Sequence, residues 1–470
     1  MTLRSGRRHQ IFAASTGYGA ATLAAALDAG MFGPGNRVHR TLLVTNNAPN
    51  PEVTPALDRM PGFDRIRARF DAVVHWNKVI HPHHPAAWVP RTQDITAWQR
   101  LLRHAWDLGS EPVELALESI QAAPALALAA VFADSPLDVY ADGLMSYGPT
   151  RDALPHSVHG RIRRLLHPDL VNGLRPLLLS EYAVPAETVP AGAIQGVFAE
   201  LERAAPPLEG QGLAAQEQPG GTPPGQDREG PVLMLGQYLA AAGILSVYEE
   251  RELHGRMLHA AARAGHRTVV FKPHPSALPL GEESLQLAAE AAGIRLVVCD
   301  TPILAETLVQ RLRPALVTGC FSTALLTAAV HYGVPVAAVG TDLLLERLSP
   351  YENSNRVPVT LVRALLPDLE RDGCDGKPLD LSPAVVNGRI APLLTAVGHC
   401  MQPEGCAHLR EDAERFLAAH CEGPGRPLGP ETAPYFKRRR LRALGLPGAP
   451  GPATPVARLR TAVHRIRRTP

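Results

Sequence analysis

Lys272 and His274 stand in the stretch Lys272-Pro273-His274-Pro275, directly after the apolar run Val269-Val270-Phe271. Lys272 is a point charge for an anion, and an imidazole can donate or take a proton near neutral pH. Each proline steers the residue before it toward extended backbone, so both side chains leave the run at its end. Asp142, in Tyr140-Ala141-Asp142-Gly143, is a carboxylate that follows another apolar run. As a general base it must reach a hydroxyl, whereas an Asp-Gly pair is also common as a plain turn. Ser322 and Thr323 follow Cys320-Phe321 where a strand gives way to a helix. Their hydroxyls cap that helix, and its free amides attract phosphate. Gly236-Gln237 forms the exit turn of a further run, Pro231–Leu235. On this reading Lys272 and His274 face a nucleotide phosphate, and Asp142 brings the base from far away in sequence.

Alternating strands and helices must position these residues. In the first half, the runs Gln10–Ala14, Thr41–Thr45, Ala72–His75, Val113–Leu117 and Leu137–Tyr140 read as strands. Ala20–Ala29, Ile95–Trp106 and Ala125–Phe132 read as helices, with Gly17-Tyr18-Gly19 as a tight turn before the first. That turn is a weak likeness of a phosphate-binding glycine loop, since a third glycine is missing. Arg151–Glu200 reads as mostly helical, broken by prolines. In the second half, Pro231–Leu235, Thr268–Lys272, Arg295–Cys299, Ala315–Thr318 and Val336–Val339 read as strands, with helices over Ser246–Ala264, Glu282–Ala292 and Ser322–Tyr332. Such alternation predicts parallel sheets covered on both faces, with ligands bound beyond the strand ends. The fold class expected is α/β, GT-B, two Rossmann-like doubly wound domains facing a cleft.

The chain has 470 residues, too many for one ordinary core. From Ala205 to Gly230 it is Pro, Gly, Gln and Glu with almost no large apolar residue, which reads as a linker. The expected division is residues 1–204, a first Rossmann-like domain; 205–230, the linker; 231–425, a second Rossmann-like domain; and 426–470, a basic tail. A net charge of +2 gives no nucleic-acid-binding role to the whole chain. Six cysteines in a chain this long do not form a disulfide framework. Cys400, Cys406, His408, His420 and Cys421 crowd one region, but their spacing fits no zinc pattern, so no metal is expected. His81, His83 and His84 read as loop. Arg4, Arg7 and Arg8 before Ile11-Phe12-Ala13-Ala14 imitate a signal peptide, but the apolar stretch is broken at once by Ser15, Thr16 and Gly17. No run is long enough to span a bilayer, which places the protein in the cytoplasm or at the inner face of the membrane. Between Lys437 and Arg468 there are many arginines and no acid. Ala457–Arg468 reads either as a solvated tail or as a basic helix drawn to an anionic membrane surface.

The order Tyr140-Ala141-Asp142-Gly143, Lys272-Pro273-His274-Pro275, Ser322-Thr323 resembles the bacterial sialyltransferases, whose motifs are an acidic pair before glycine, His-Pro, and Ser-Ser or Ser-Thr. The chain is most similar to the α-2,8-polysialyltransferase-like family. The likeness spans most of residues 9–400, including Ala13-Ala14-Ser15 with Tyr18-Gly19-Ala20-Ala21, Asn46-Asn47 with Pro51-Glu52, and Ser349-Pro350-Tyr351-Glu352-Asn353-Ser354-Asn355-Arg356.

The resemblance implies metal-independent, inverting transfer of sialic acid from CMP-sialic acid to a glycan hydroxyl. It needs no cofactor beyond that donor substrate. On the family pattern Asp142 takes the acceptor proton, His274 supports the departing CMP phosphate, and Ser322 and Thr323 hold the same phosphate. Gly236, Gln237 and Lys272 are further donor contacts. The partners implied are a nucleotide sugar and a glycan of the bacterial surface, with no nucleic acid; the oligomeric state is open. One departure is Ala141, where the family carries the first acid of its pair. It keeps open an inactive nucleotide- or glycan-binding homologue; a second alternative is the same scaffold serving CMP-Kdo or a UDP-sugar.

Overall fold

Two parallel sheets organise the computed structural model, which describes residues 8–208, 230–275, 277, 282–374, 376–423 and 425–449. The first sheet takes β1 (Arg8–Ala14), β2 (Val38–Val44), β3 (Ala72–His75), β4 (Val113–Glu118), β5 (Leu137–Tyr140), β6 (Ile162–Pro168) and β7 (Ala186–Val189). They pair in the order β3-β2-β1-β4-β5-β6-β7. The second sheet takes β8 (Val232–Leu235), β9 (Thr268–Lys272), β10 (Arg295–Val298), β11 (Leu316–Gly319) and β12 (Val336–Ala338), in the order β10-β9-β8-β11-β12. In both, the order reverses beside the first strand, as it does in a doubly wound unit. The two Rossmann-like units give the α/β, GT-B architecture expected from the sequence.

Strand period divides the first core. Ile11, Ala13, Leu115, Leu117, Val139 and Ala141 pack into one cluster, and Phe12, Ala14, Ala116 and Tyr140 into another. Successive side chains point to opposite faces of a strand, so these are the two covered faces of one sheet. The second unit has its own core, and Leu144, Tyr147, Leu170, Val171 and Leu174 of the first unit are continuous with it. An ion pair from Arg311 Nε to Glu202 Oε1, 3.0 Å, ties the units at another point.

The stretch Arg151–Glu200 departs from its helical reading. It contains β6 and β7, and only Ala191–Ala204 makes a long helix there. The charges that disguise β6 have a partner: Arg163 donates to both carboxylate oxygens of Asp138 on β5, at 2.9 and 2.7 Å, and Arg164 to one, at 3.2 Å. Asp138 is 1% exposed, so the pairing satisfies a buried charge rather than decorating a surface. Of the expected linker, residues 209–229 lie outside the described residues. So do Arg4, Arg7 and the reading of Ala457–Arg468. Residues 426–449, within the stretch read as a basic tail, pack on the second unit: Leu441 is buried and Arg440 pairs with Glu352 at 2.6 Å. No helix among the described residues is long and apolar enough to cross a membrane.

Candidate active site

Thr16 ends the loop after β1 and is the N-cap of the Gly17–Asp28 helix. Its Oγ1 accepts from the Gly19 amide, 2.9 Å, and donates to Asp142 Oδ2, 2.7 Å. Gly17, Tyr18 and Gly19 are therefore the first helical turn and not a loop before it. Gly19 matters by what it lacks. A β-carbon there would stand 2.9 Å from Thr16 Oγ1 and 3.3 Å from Asp142 Oδ2. The helix thus brings its positive end against Asp142 without covering it.

Asp142 leaves the carboxyl end of β5. Tyr140 and Asp142 share one face, and Ala141 turns into the apolar cluster on the other, where it is 7% exposed. A charge at position 141 would enter that cluster. Burial raises the Asp142 carboxyl above its ordinary range, while the Thr16 hydroxyl bond pulls it back.

Across the domain boundary lies the Thr323–Tyr332 helix. Ser322 caps it, its Oγ accepting from Ala324 N at 3.3 Å, and Gly333 closes it in the left-handed conformation. The Leu144 amide donates to Thr323 Oγ1 at 3.4 Å. Tyr18 Oη, from the first unit, lies 3.3 Å from Thr327 Oγ1 one turn further along. Two helix N-termini from different domains thus converge around the Asp142-Gly143 turn.

The remaining residues lie along the carboxyl ends of β8, β9 and β11. Gly236 accommodates no side chain, because a β-carbon would stand 2.8 Å from Phe271 Cζ. Gln237 Oε1 accepts from the Phe321 amide at 2.9 Å and so fixes the approach to the Ser322 cap. Its loop is held in turn by buried Glu250, which accepts from the Leu239 and Ala240 amides at 3.0 and 2.9 Å. The Tyr238 ring packs on His274, centroids 4.5 Å apart. Burial, reinforced by Lys272, lowers His274 to about 4. The imidazole is therefore neutral at physiological pH in the free protein, and it would act toward an anion through an N–H. Lys272 is 8% exposed, and its Nζ donates to Thr301 O at 2.7 Å and Cys299 O at 3.3 Å, across the end of β10. It is first a brace between strand ends.

The structure thus sets Gly143 and Leu144, directly after Asp142, against Thr323, and ties Phe321, beside the Ser322 cap, to Gln237. Tyr238 follows Gln237 and packs on His274. Sequence reading missed Glu118 and Thr16. Glu118 ends β4 opposite Tyr140 and accepts from the Ser15 amide at 2.7 Å. A carboxylate at a strand exit was available as a signal, the same one that singles out Asp142. Among the described residues no group of three or more His, Cys, Asp or Glu is arranged to hold a metal. Cys400 and Cys406 are buried thiols, and the His84 ring meets Ala48 O at 2.9 Å.

A sequence model of the family described as Alpha-2,8-polysialyltransferase (POLYST) matches residues 10–341. No curated protein matches the chain. Among solved structures, a UDP-glucosyltransferase from Polygonum tinctorium is 13% identical, covering 94% of this chain and 98% of that one, with a TM-score of 0.40. A glycosyltransferase from Rickettsia africae is 10% identical, with coverages of 87% and 94% and a TM-score of 0.39. A UDP-N-acetylglucosamine 2-epimerase described as putative, from Listeria monocytogenes, is 11% identical, with coverages of 88% and 96% and a TM-score of 0.39.

Proposed function

Because the chain belongs to the alpha-2,8-polysialyltransferase family of glycosyltransferases, we propose that it transfers sialic acid from CMP-sialic acid to a glycan hydroxyl, with inversion and without a metal. The observation that supports this most is the meeting of Gly143 and Leu144, directly after Asp142, with Thr323 across the domain boundary. A base on one side and a phosphate-attracting helix end on the other are the two halves that the reaction needs.

In this reading the acceptor oxygen attacks the anomeric carbon of the sialyl group as its proton passes to Asp142. The bond from that carbon to the phosphate oxygen breaks, and the electron pair leaves with CMP. The leaving phosphate gains charge as the bond breaks. A neutral His274 donates an N–H to it, and the Ser322-Thr323 helix end adds oriented amides. Donors aimed at developing charge stabilise the transition state more than the ground state, which is work a metal would otherwise do. Gly236 and Gln237 hold the wall of the nucleotide site, and Lys272 braces the strand end that carries His274. Ala141 is compatible with activity, because the retained acid is the one that shares a face with Thr16 and Glu118. The nucleotide sugar places the work on the cytoplasmic side, with the growing glycan as the second partner.

Thermal-shift titration with CMP, UDP and GDP tests the donor class. Stabilisation by CMP alone is expected, and stabilisation by UDP without CMP would reassign the donor. Incubation with CMP-Neu5Ac and sialylated or unsialylated acceptors, read by mass, tests transfer. Neither transfer nor slow donor hydrolysis would leave a binding protein.

A further inference from the structure

Consecutive residues of one turn hold two different carboxylates. The Ser15 amide donates to Glu118 Oε2 at 2.7 Å, and the Thr16 hydroxyl to Asp142 Oδ2 at 2.7 Å. Glu118 is in register with Tyr140, and Asp142 lies two residues further on, so all three face the Gly17–Asp28 helix. Position 141 points the other way. Glu118 therefore shares a surface with the proposed base, whereas an acid at 141 would not.

We propose that Glu118 is a second functional carboxylate of the transfer site, a positioning residue that acts on the acceptor hydroxyl through Asp142. The inference rests on the reading of Asp142 as the base. The Tyr140 hydroxyl donates to Ala13 O, 2.8 Å away, on the same face as both acids. Burial and the charge of Asp142 raise Glu118 to about 7, against the pull of the Ser15 and Tyr140 hydrogen bonds toward its charged form. The titratable groups that face the pair are Tyr140 from β5 and Tyr18 from the helix, and both are themselves raised by burial.

Two adjacent carboxyls lose their protons in two steps that belong to the pair. Once the first has left, one proton remains on the pair. The second leaves near pH 7, where Glu118 titrates. Above that step the neighbouring charge makes Asp142 a stronger base for the acceptor proton, which moves from the hydroxyl to Asp142 as the glycosidic bond forms.

The test is the pH dependence of kcat/KM for transfer from CMP-sialic acid. The wild type should rise through two steps, the upper near pH 7. E118Q should keep the lower step and lack the upper, with the rate at pH 8 several-fold lower and KM for the donor unchanged. E118D should restore the upper step. A wild-type profile without the upper step, or an E118Q profile that keeps it, would overturn the proposal. Should E118Q not fold, the reciprocal measurement decides. In protein labelled with 13C-glutamate, the titration of Glu118 should fall by about a pH unit in D142N. The Glu306 signal, also near 7 but facing Tyr18 and Tyr332, should not move. No glutamate titration changing in D142N would equally overturn it. Full transfer activity in D142N is a separate outcome, and it removes the base assignment itself.

Discussion

Gly143 stands against Thr323 with no room for a β-carbon between them: an atom there would lie 2.7 Å from Thr323 Oγ1. The backbone at Gly143 is extended, with φ −164°, so the requirement is steric and not conformational. Gly143→Ala should push the Asp142 turn away from the Ser322-Thr323 helix. A cost of about 1–3 kcal/mol is expected from such overpacking, with transfer reduced at least as much as stability. Thr323→Ala in the same chain should recover much of the melting temperature. A double-mutant cycle on unfolding midpoints checks it, and simple additivity would show that the two residues do not press on each other.

His274 should contribute as a neutral donor. If His274 donates to the phosphate as proposed, His274→Ala should slow transfer by about 10²–10³-fold and weaken CMP binding as well. Isothermal titration with CMP alongside single-turnover rates checks both halves. CMP affinity and transfer both at wild-type levels would remove His274 from the donor site.

Lys272 holds the carbonyls of Cys299 and Thr301, and its charge also depresses His274. Lys272→Met should therefore do two things. The fold should lose about 1–3 kcal/mol from the unmade buried bonds. The His274 titration, followed by NMR, should move upward from about 4 toward the ordinary histidine range. An unchanged His274 titration would separate the two groups electrostatically.

His254 offers a stability test away from the site. It is 3% exposed, packs edge-on against Phe271 with centroids 5.1 Å apart, and burial lowers it to about 4. The folded state then binds fewer protons than the unfolded one between about pH 6.5 and 4. Its contribution is present above that window and is lost as the pH falls through it. His254→Leu should flatten the acid loss of stability by up to ~3 kcal/mol, measured by denaturant midpoints at pH 7 and pH 4.5. Glu118 and Glu306, raised to about 7, act oppositely, losing stability as pH rises from about 4.5 to 7. The comparison must therefore be wild type against variant at each pH.

Much of this was legible in the residues, for a physical reason. The limits of Ala72–His75, Leu137–Tyr140 and Thr268–Lys272 coincide with their reading, because buried parallel strands are short apolar runs with sharp ends. β6 was hidden because Arg163 and Arg164 look solvent-facing until Asp138 is placed beside them by strand pairing. Likewise Ser322-Thr323 could be read as a cap, but its contact with Gly143 joins residues far apart along the chain, which only the domain arrangement creates. Glu118 was missed because strand register, not spacing along the chain, sets it beside Tyr140 and Asp142. The helices Ala305–Leu312 and Arg356–Leu365 also escaped notice. The second packs on the turn after Gly143, where Val357 Cγ2 lies 3.3 Å from the position of a Gly148 β-carbon.

The account depends most on Asp142 taking the acceptor proton, and one experiment addresses that alone: single-turnover transfer from CMP-sialic acid by Asp142→Asn, beside its affinity for CMP. Loss of transfer by about 10²–10⁴-fold with CMP affinity unchanged is the result expected of a general base on the acceptor side. Transfer within a few-fold of wild type would contradict it.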